Sequence, residues 1–193
     1  MKKYLLLLLA VVVAPRLAAQ QRYEFNSGWK GRPIAQVKAD GLSLSTPAYP
    51  LTGWAPAVVP GTVLTTQLEN HQIPDPFFGM NNERIPDIYK IGRAYYTYWF
   101  VKDFREAPAS PDGQVWLHFR GVNYSCDVFL NGRKINRQTH HGMFLRQAYN
   151  ITPYIAKDGN NRLAVVVYPP DQVGNPNGGQ GGDGTIARGV GHQ

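Results

Sequence analysis

Two neighbouring stretches alternate apolar and polar residues with period two, the mark of half-buried strands. Val115, Leu117 and Phe119 alternate with Trp116, His118 and Arg120. After a break at Gly121–Tyr124, Cys126, Val128 and Leu130 repeat the pattern. Asn131-Gly132 follows, a dipeptide suited to positive φ at both central positions of a two-residue turn, so a hairpin is predicted with Arg133–Gln138 as its return strand. Arg162–Tyr168 contains the uninterrupted apolar run LAVVV and predicts a strand buried on both faces. Ala94–Phe104 predicts an aromatic strand bulky on both faces, Phe144–Tyr149 a shorter one, and Tyr23–Leu44 a weaker strand region around Trp29 and Ile34.

Helical pattern is scarce. Thr62–Asn70 reads as one short helix, with Thr62 as N-cap and Val63, Leu64 and Leu68 on its apolar side. Asn150–Ile155 predicts a helical turn. Pro47–Pro60 is extended, because its prolines remove backbone donors and fix φ. His71–Gly92, interrupted by Pro74 and Pro76, is a long loop that sets Asn81, Asn82, Glu83, Arg84 and Asp87 close to Phe77, Phe78 and Tyr89. Loops of that length without regular structure usually build a site. Short strands, frequent turn signals and a single helix predict an all-β sandwich.

Lys2-Lys3, the apolar run Tyr4–Ala14 and Leu17-Ala18-Ala19 have the layout of a bacterial secretory signal peptide, expected to cover 1–19. The predicted layout is therefore leader 1–19, sandwich 20–170 and a Gly-rich segment 171–193, with the product secreted or periplasmic. The leader carries Lys2, Lys3 and Arg16, so 17 of the 20 basic residues remain against 13 acidic ones, a net of +4. The basic residues do not cluster, which argues against nucleic acid as a partner. After leader removal, no membrane association is expected. Cys126 is the only cysteine, which excludes an internal disulfide, and its inward strand phase predicts a small buried hydrophobe.

Several chemical motifs are formal only. Gly179–Gly184 fits G-x-G-x-x-G but lacks the strand before and the helix after that a dinucleotide site needs. The five histidines show no ligand spacing, and no cofactor is implied. Asn123-Tyr124-Ser125 and Asn150-Ile151-Thr152 are glycosylation sequons by pattern alone. No acid/base pair, nucleophile–histidine pair or metal cluster emerges. Aromatic strands beside polar loops do suit sugars, whose C–H faces stack on rings while Asn, Asp and Arg bind hydroxyls.

The order of several short motifs carries more. Val59-Pro60-Gly61-Thr62-Val63, Ile73-Pro74-Asp75-Pro76-Phe77, Gly79-Met80-Asn81 and Tyr98-Trp99-Phe100 resemble the N-terminal sugar-binding domain of glycoside hydrolase family 2. So do Gly121-Val122-Asn123-Tyr124, Asp127–Gly132, Gly142-Met143-Phe144 and Asn161-x-Leu163-Ala164-Val165. The segment Gly182–Ala187 resembles the branch holding β-mannosidases and exo-β-D-glucosaminidases. The resemblance implies a galactose-binding-like jelly-roll sandwich. It also implies an enzyme whose immunoglobulin-like domain and catalytic TIM barrel lie outside these 193 residues, so no catalytic residue is assigned here and the chain is expected to be a partial reading frame. Its carbohydrate substrate would be met through the full-length enzyme. By motif position, the loops Asp75–Asn82 and Gly178–Asp183 are expected to reach the barrel, with Asp183, Asn81 and Asn82 as candidate substrate contacts. An open sheet edge and exposed apolar surface are expected in the isolated chain. A stand-alone carbohydrate-binding module is the alternative.

Overall fold

The computed structural model describes residues 20–170. The expected leader, the Gly-rich segment and its Asp183 lie outside the described residues. Nine strands run in the order β1 (Trp29–Pro33), β2 (Ala55–Ala57), β3 (Tyr98–Arg105), β4 (Trp116–Phe119), β5 (Ser125–Leu130), β6 (Arg133–Lys134), β7 (His140–His141), β8 (Gln147–Asn150) and β9 (Asn160–Tyr168). Four short helices lie between them: α1 (Gly41–Leu44), α2 (Val63–Glu69), α3 (Ile88–Ile91) and α4 (Arg93–Tyr96). One antiparallel sheet has the order β2-β1-β3-β9-β5-β6, with β7 also on β5, and β4 pairs with β8 in a second sheet.

The continuous apolar pattern of β9 has a direct cause, since the large sheet is the middle layer. Leu163 and Val165 join Tyr98, Phe100, Cys126, Val128 and Leu130 on one face, against Leu117 of β4, Ile151 and Val63 of α2. Ala164 and Val166 join Trp99 and Val101 on the other, covered by Leu44 of α1 with Ile34, Val37, Tyr49, Leu51 and Trp54. The proline-rich segment is thus a lid over one sheet face. Arg162 fastens it. Only 6% exposed, Arg162 donates from Nε and Nη2 to the Asp103 carboxylate at 2.5 and 3.0 Å and from Nη1 to the carbonyls of Thr46 and Tyr49.

The predicted stretch Val115–Gly132 divides between the two sheets. Its hairpin is β5–β6, with Phe129 opposite Lys134 and Leu130 opposite Arg133; Asn131 (φ 49°) and Gly132 (φ 78°) form the expected two-residue turn. The return strand ends at Lys134 instead of Gln138. The cause is Asn136, a buried side chain that takes over the ladder's work. Its Oδ1 accepts from Val128 N at 2.8 Å, while Nδ2 donates to the carbonyls of Cys126 (3.0 Å) and Gln138 (2.8 Å). Asn136→Ala should lower the unfolding free energy by about 2 kcal/mol through these lost partners. Urea titration checks this; a loss under about 0.5 kcal/mol would contradict it.

Other boundaries also differ. The aromatic strand starts at Tyr98, because Gly92 (φ 83°) opens α4, and the buried Tyr96 hydroxyl donates to the Pro86 carbonyl. Helix α2 carries the predicted cap: Thr65 N donates to Thr62 Oγ1 at 3.0 Å and Thr62 N to Thr65 Oγ1 at 2.7 Å. Its inward face, however, is Val63, Thr66 and Gln67. Leu64 and Leu68 are only half-buried, whereas Thr66 Oγ1 accepts from Val58 N and Gln67 Nε2 donates to the Tyr98 hydroxyl. Ile34–Gln36 is a 3-10 turn rather than strand, and Asn81–Arg84 and α3 give the long loop local structure. Phe144 stands in a turn before β8. The predicted helical turn is a 3-10 turn at Thr152–Tyr154.

Cys126 is fully buried and free. Burial pushes its thiol up to about 11, so it packs as a small hydrophobe.

Candidate functional site

The antiparallel registers bring the start of β3, the start of β5, the end of β1 and the end of β9 to one edge of the molecule. Pro33 lies opposite Tyr98, Tyr98 opposite Val167, and Ser125 opposite Tyr168. The loops of this end are tied together. Arg93 Nη2 donates to the Pro169 carbonyl at 2.6 Å. Tyr124 N donates to the Tyr168 carbonyl at 3.1 Å, and Gly142 N to the Tyr124 carbonyl at 2.9 Å. The rings of Tyr124 and His141 meet edge to face at 6.3 Å, and His140 Nε2 lies 3.0 Å from the Gly142 carbonyl.

One carboxylate braces this end from below. Asp127 Oδ1 accepts from Lys134 Nζ at 2.8 Å, Thr139 Oγ1 at 3.0 Å and Asn136 Nδ2 at 3.3 Å; its Oδ2 accepts from the Tyr168 hydroxyl at 3.2 Å. Burial pushes the Asp127 carboxyl up, but the Lys134 ammonium and the Thr139 and Tyr168 hydroxyls outweigh it, and the net is a carboxyl held below its ordinary range. Burial and the neighbouring Asp127 charge raise the Tyr168 hydroxyl to about 12, so it stays a donor.

The Ile73–Ile85 loop runs directly into Pro86, where Tyr96 holds it. Both stems are anchored by buried side chains, Ile73 and Ile85. Asp75 organises the turn between them. Its Oδ1 accepts from Phe77 N at 2.9 Å, and its carbonyl accepts from Phe78 N at 3.2 Å and Asn81 Nδ2 at 3.0 Å. Asn81 Oδ1 in turn accepts from Arg84 Nη1 at 3.3 Å. The result is a shaped loop whose tip presents Phe77 at 95%, Phe78 at 75% and Met80 at 67% exposure. Clustered large apolar side chains in water mark an interaction surface.

The candidates from sequence fall as follows. Asn81 uses both ends of its amide to fold the loop. Asn82 is exposed beside it, with no side-chain partner among the described residues. Asp183 is not among them. Sequence reasoning did not single out Arg93, Tyr124 or His141 as functional. Tyr124 belongs to the Gly121–Tyr124 motif, whose signal in sequence is one of family resemblance alone, and the histidines bear in sequence only on metal ligation. Among the described residues no group of three or more His, Cys, Asp and Glu could hold a metal ion, and no helix is long and apolar enough to cross a membrane.

The described residues thus form a β-sandwich with tied loops gathered at one end. The model of the family described as "Glycosyl hydrolase 2 galactose-binding domain-like" matches residues 34–185, and the chain belongs to that family. It is 47% identical to the mannosylglycoprotein endo-beta-mannosidase of Lilium longiflorum over 87% of this chain and 18% of that protein. It is 32% identical to an exo-beta-D-glucosaminidase of Streptomyces avermitilis over 78% of this chain and 16% of that protein. Among solved structures, the exo-chitosanase of Amycolatopsis orientalis superposes with a TM-score of 0.63 at 29% identity, covering 75% of this chain and 16% of that one. The chain spans less than a fifth of the length of each of these relatives.

Proposed function

We propose that this chain is the N-terminal, non-catalytic domain of a secreted glycoside hydrolase that removes terminal β-linked mannosyl or glucosaminyl residues with retention of configuration. The observation that carries this reading is the Asp75–Arg84 loop: a preformed turn with three solvent-facing apolar side chains, on the end of the sandwich where the strands' loops converge. Docked against a catalytic barrel, Phe77, Phe78 and Met80 would lose their contact with water, and Asn82 would stand at the rim of the sugar pocket. The relatives, an endo-beta-mannosidase and an exo-beta-D-glucosaminidase by name, support β-mannosyl or β-glucosaminyl bonds as the substrate class; attack at the terminal residue and export, suggested by the pattern of 1–19, are part of the proposal. Retaining hydrolysis proceeds through a covalent glycosyl-enzyme and needs two carboxyl groups facing each other across the bond; in this reading both belong to the barrel.

The test is to express the reading frame continued beyond Gln193 and assay aryl β-mannoside and β-glucosaminide, following the anomer first released by NMR. Turnover with the β anomer released first is expected, and none from the 193-residue chain alone. Turnover by that chain, or release of the α anomer first, would refute the proposal. In the continued enzyme, Phe77→Ser with Phe78→Ser should reduce kcat/KM about tenfold, the equivalent of ~1.4 kcal/mol of transition-state stabilisation. An unchanged value would remove the loop from the site. For export, mass spectrometry of the secreted product should find a new N-terminus near Gln20.

A further inference from the structure

The outer face of the β4–β8 sheet carries a feature with no part in the loop end. Gln114, Trp116, His118 and Arg120 alternate outward along one strand line, and all four are exposed. Trp116 is 48% exposed although it is the largest side chain type. Its indole is held in place, Nε1 donating to Gln114 Oε1 at 2.9 Å. The Trp116 and His118 rings are neighbours, with centroids 6.4 Å apart and planes tilted by 30°. Their register partners, Asn150 and Ala148, are small, so the two rings form one open aromatic platform.

Arginines outnumber carboxylates at the end of the platform. The β4–β8 register, extended by one residue beyond Phe119–Gln147, sets Arg146 opposite Arg120. Glu24 pairs with Arg120 at 2.5 Å and with Arg22 at 3.8 Å; Arg146 has no ion-pair partner among the described residues. Aromatic faces accept the C–H faces of pyranose rings, and a guanidinium fork is matched to a carboxylate. We propose that this face is a surface site for an acidic oligosaccharide, with consecutive sugar rings lying over Trp116 and His118 and a uronate carboxylate meeting Arg146. Neutral sugar would fill the platform but leave that cation unanswered.

The test uses the 193-residue chain and two probes of the same backbone, a β-linked oligomannuronate and a neutral β-linked mannooligosaccharide of equal length. Calorimetry gives affinity, and the Trp116 indole N–H resonance reports where the ligand sits. Oligomannuronate should bind and shift that resonance, with the neutral oligomer about tenfold weaker. Trp116→Ala should abolish binding. His118→Ala and Arg146→Gln, both at exposed positions that leave the core intact, should each weaken it about tenfold. No binding, equal affinity for the two probes, or binding indifferent to Trp116→Ala would overturn the proposal. So would loss of binding in Arg146→Gln alone among the variants, the mark of charge attraction without a platform. Sedimentation showing that Trp116 is covered by a second copy of the chain would overturn it as well.

Discussion

Arg162→Ala is expected to lower the unfolding free energy of the chain by about 3–4 kcal/mol, in the range for breaking a buried ion pair. The value lies toward the lower end because Asp103 is more than half exposed and recovers water when its partner is gone. The remaining loss has two sources. The carbonyls of Thr46 and Tyr49 are left without their donor, and the Arg162 stem leaves a gap in the middle of the large sheet. Because those carbonyls belong to the lid over Trp99, Val101, Ala164 and Val166, damage should begin there. Guanidinium titration gives the magnitude, and hydrogen exchange across residues 34–54 gives the location. A loss below about 1 kcal/mol would show that the arginine is a passenger and that apolar contacts alone hold the lid. Arg162→Lys should recover only part of the loss, since an ammonium cannot serve the carboxylate and two carbonyls at once.

The second large effect concerns acid. Asp127 has a folded-state carboxyl below its ordinary range, so ionised Asp127 stabilises the fold above the unfolded value of about 3.9. That contribution is lost as pH falls through the lower folded value. The unfolding free energy should therefore decline between about pH 5 and pH 2. Asp127→Ala should remove about 3 kcal/mol at neutral pH, because charge-assisted bonds to Lys134, Thr139 and Tyr168 go together. It should also flatten the acid slope. Stability measured against pH in both proteins decides the matter: equal slopes would mean that Asp127 is not the titrating brace. Since the carboxylate ties β5 to the end of β9 and to Thr139 ahead of β7, the loops of the site end should loosen first.

Those two networks illustrate what the sequence could and could not disclose. Period-two alternation and the Asn131-Gly132 turn are local signals, and they placed β4, β5 and the hairpin correctly. The apolar run of β9 and the Thr62 cap of α2 were legible for the same reason. The inward face of α2 was not, because Thr66 and Gln67 are buried by partners, Val58 and Tyr98, that lie elsewhere in the chain. The early start predicted for the aromatic strand failed on another distant bond, from Tyr96 to the Pro86 carbonyl. The truncated β6 reflects a side chain imitating backbone, and no propensity reports that. At the site, the polar loop around Asn81 was visible as a loop, while it is the antiparallel register that brings Arg93 and Tyr124 to the end of β9, and Tyr124 to His141. The role of Asp75 as organiser was likewise hidden, although Pro74-Asp75-Pro76 announced a turn.

The placement of the large sheet between two covers has a kinetic consequence. Amides of Tyr98–Val101 in β3 and Leu163–Val166 in β9 are flanked by strands on both sides and carry buried side chains on both faces, so no partial opening exposes them. Their exchange with deuterium should follow global unfolding. The β4–β8 pair has no further strand at either edge among the described residues, and its amides should exchange by local separation, many times faster. A single exchange experiment would thus divide the domain into a slow spine and a fast outer leaf, with the Trp116 platform on the leaf.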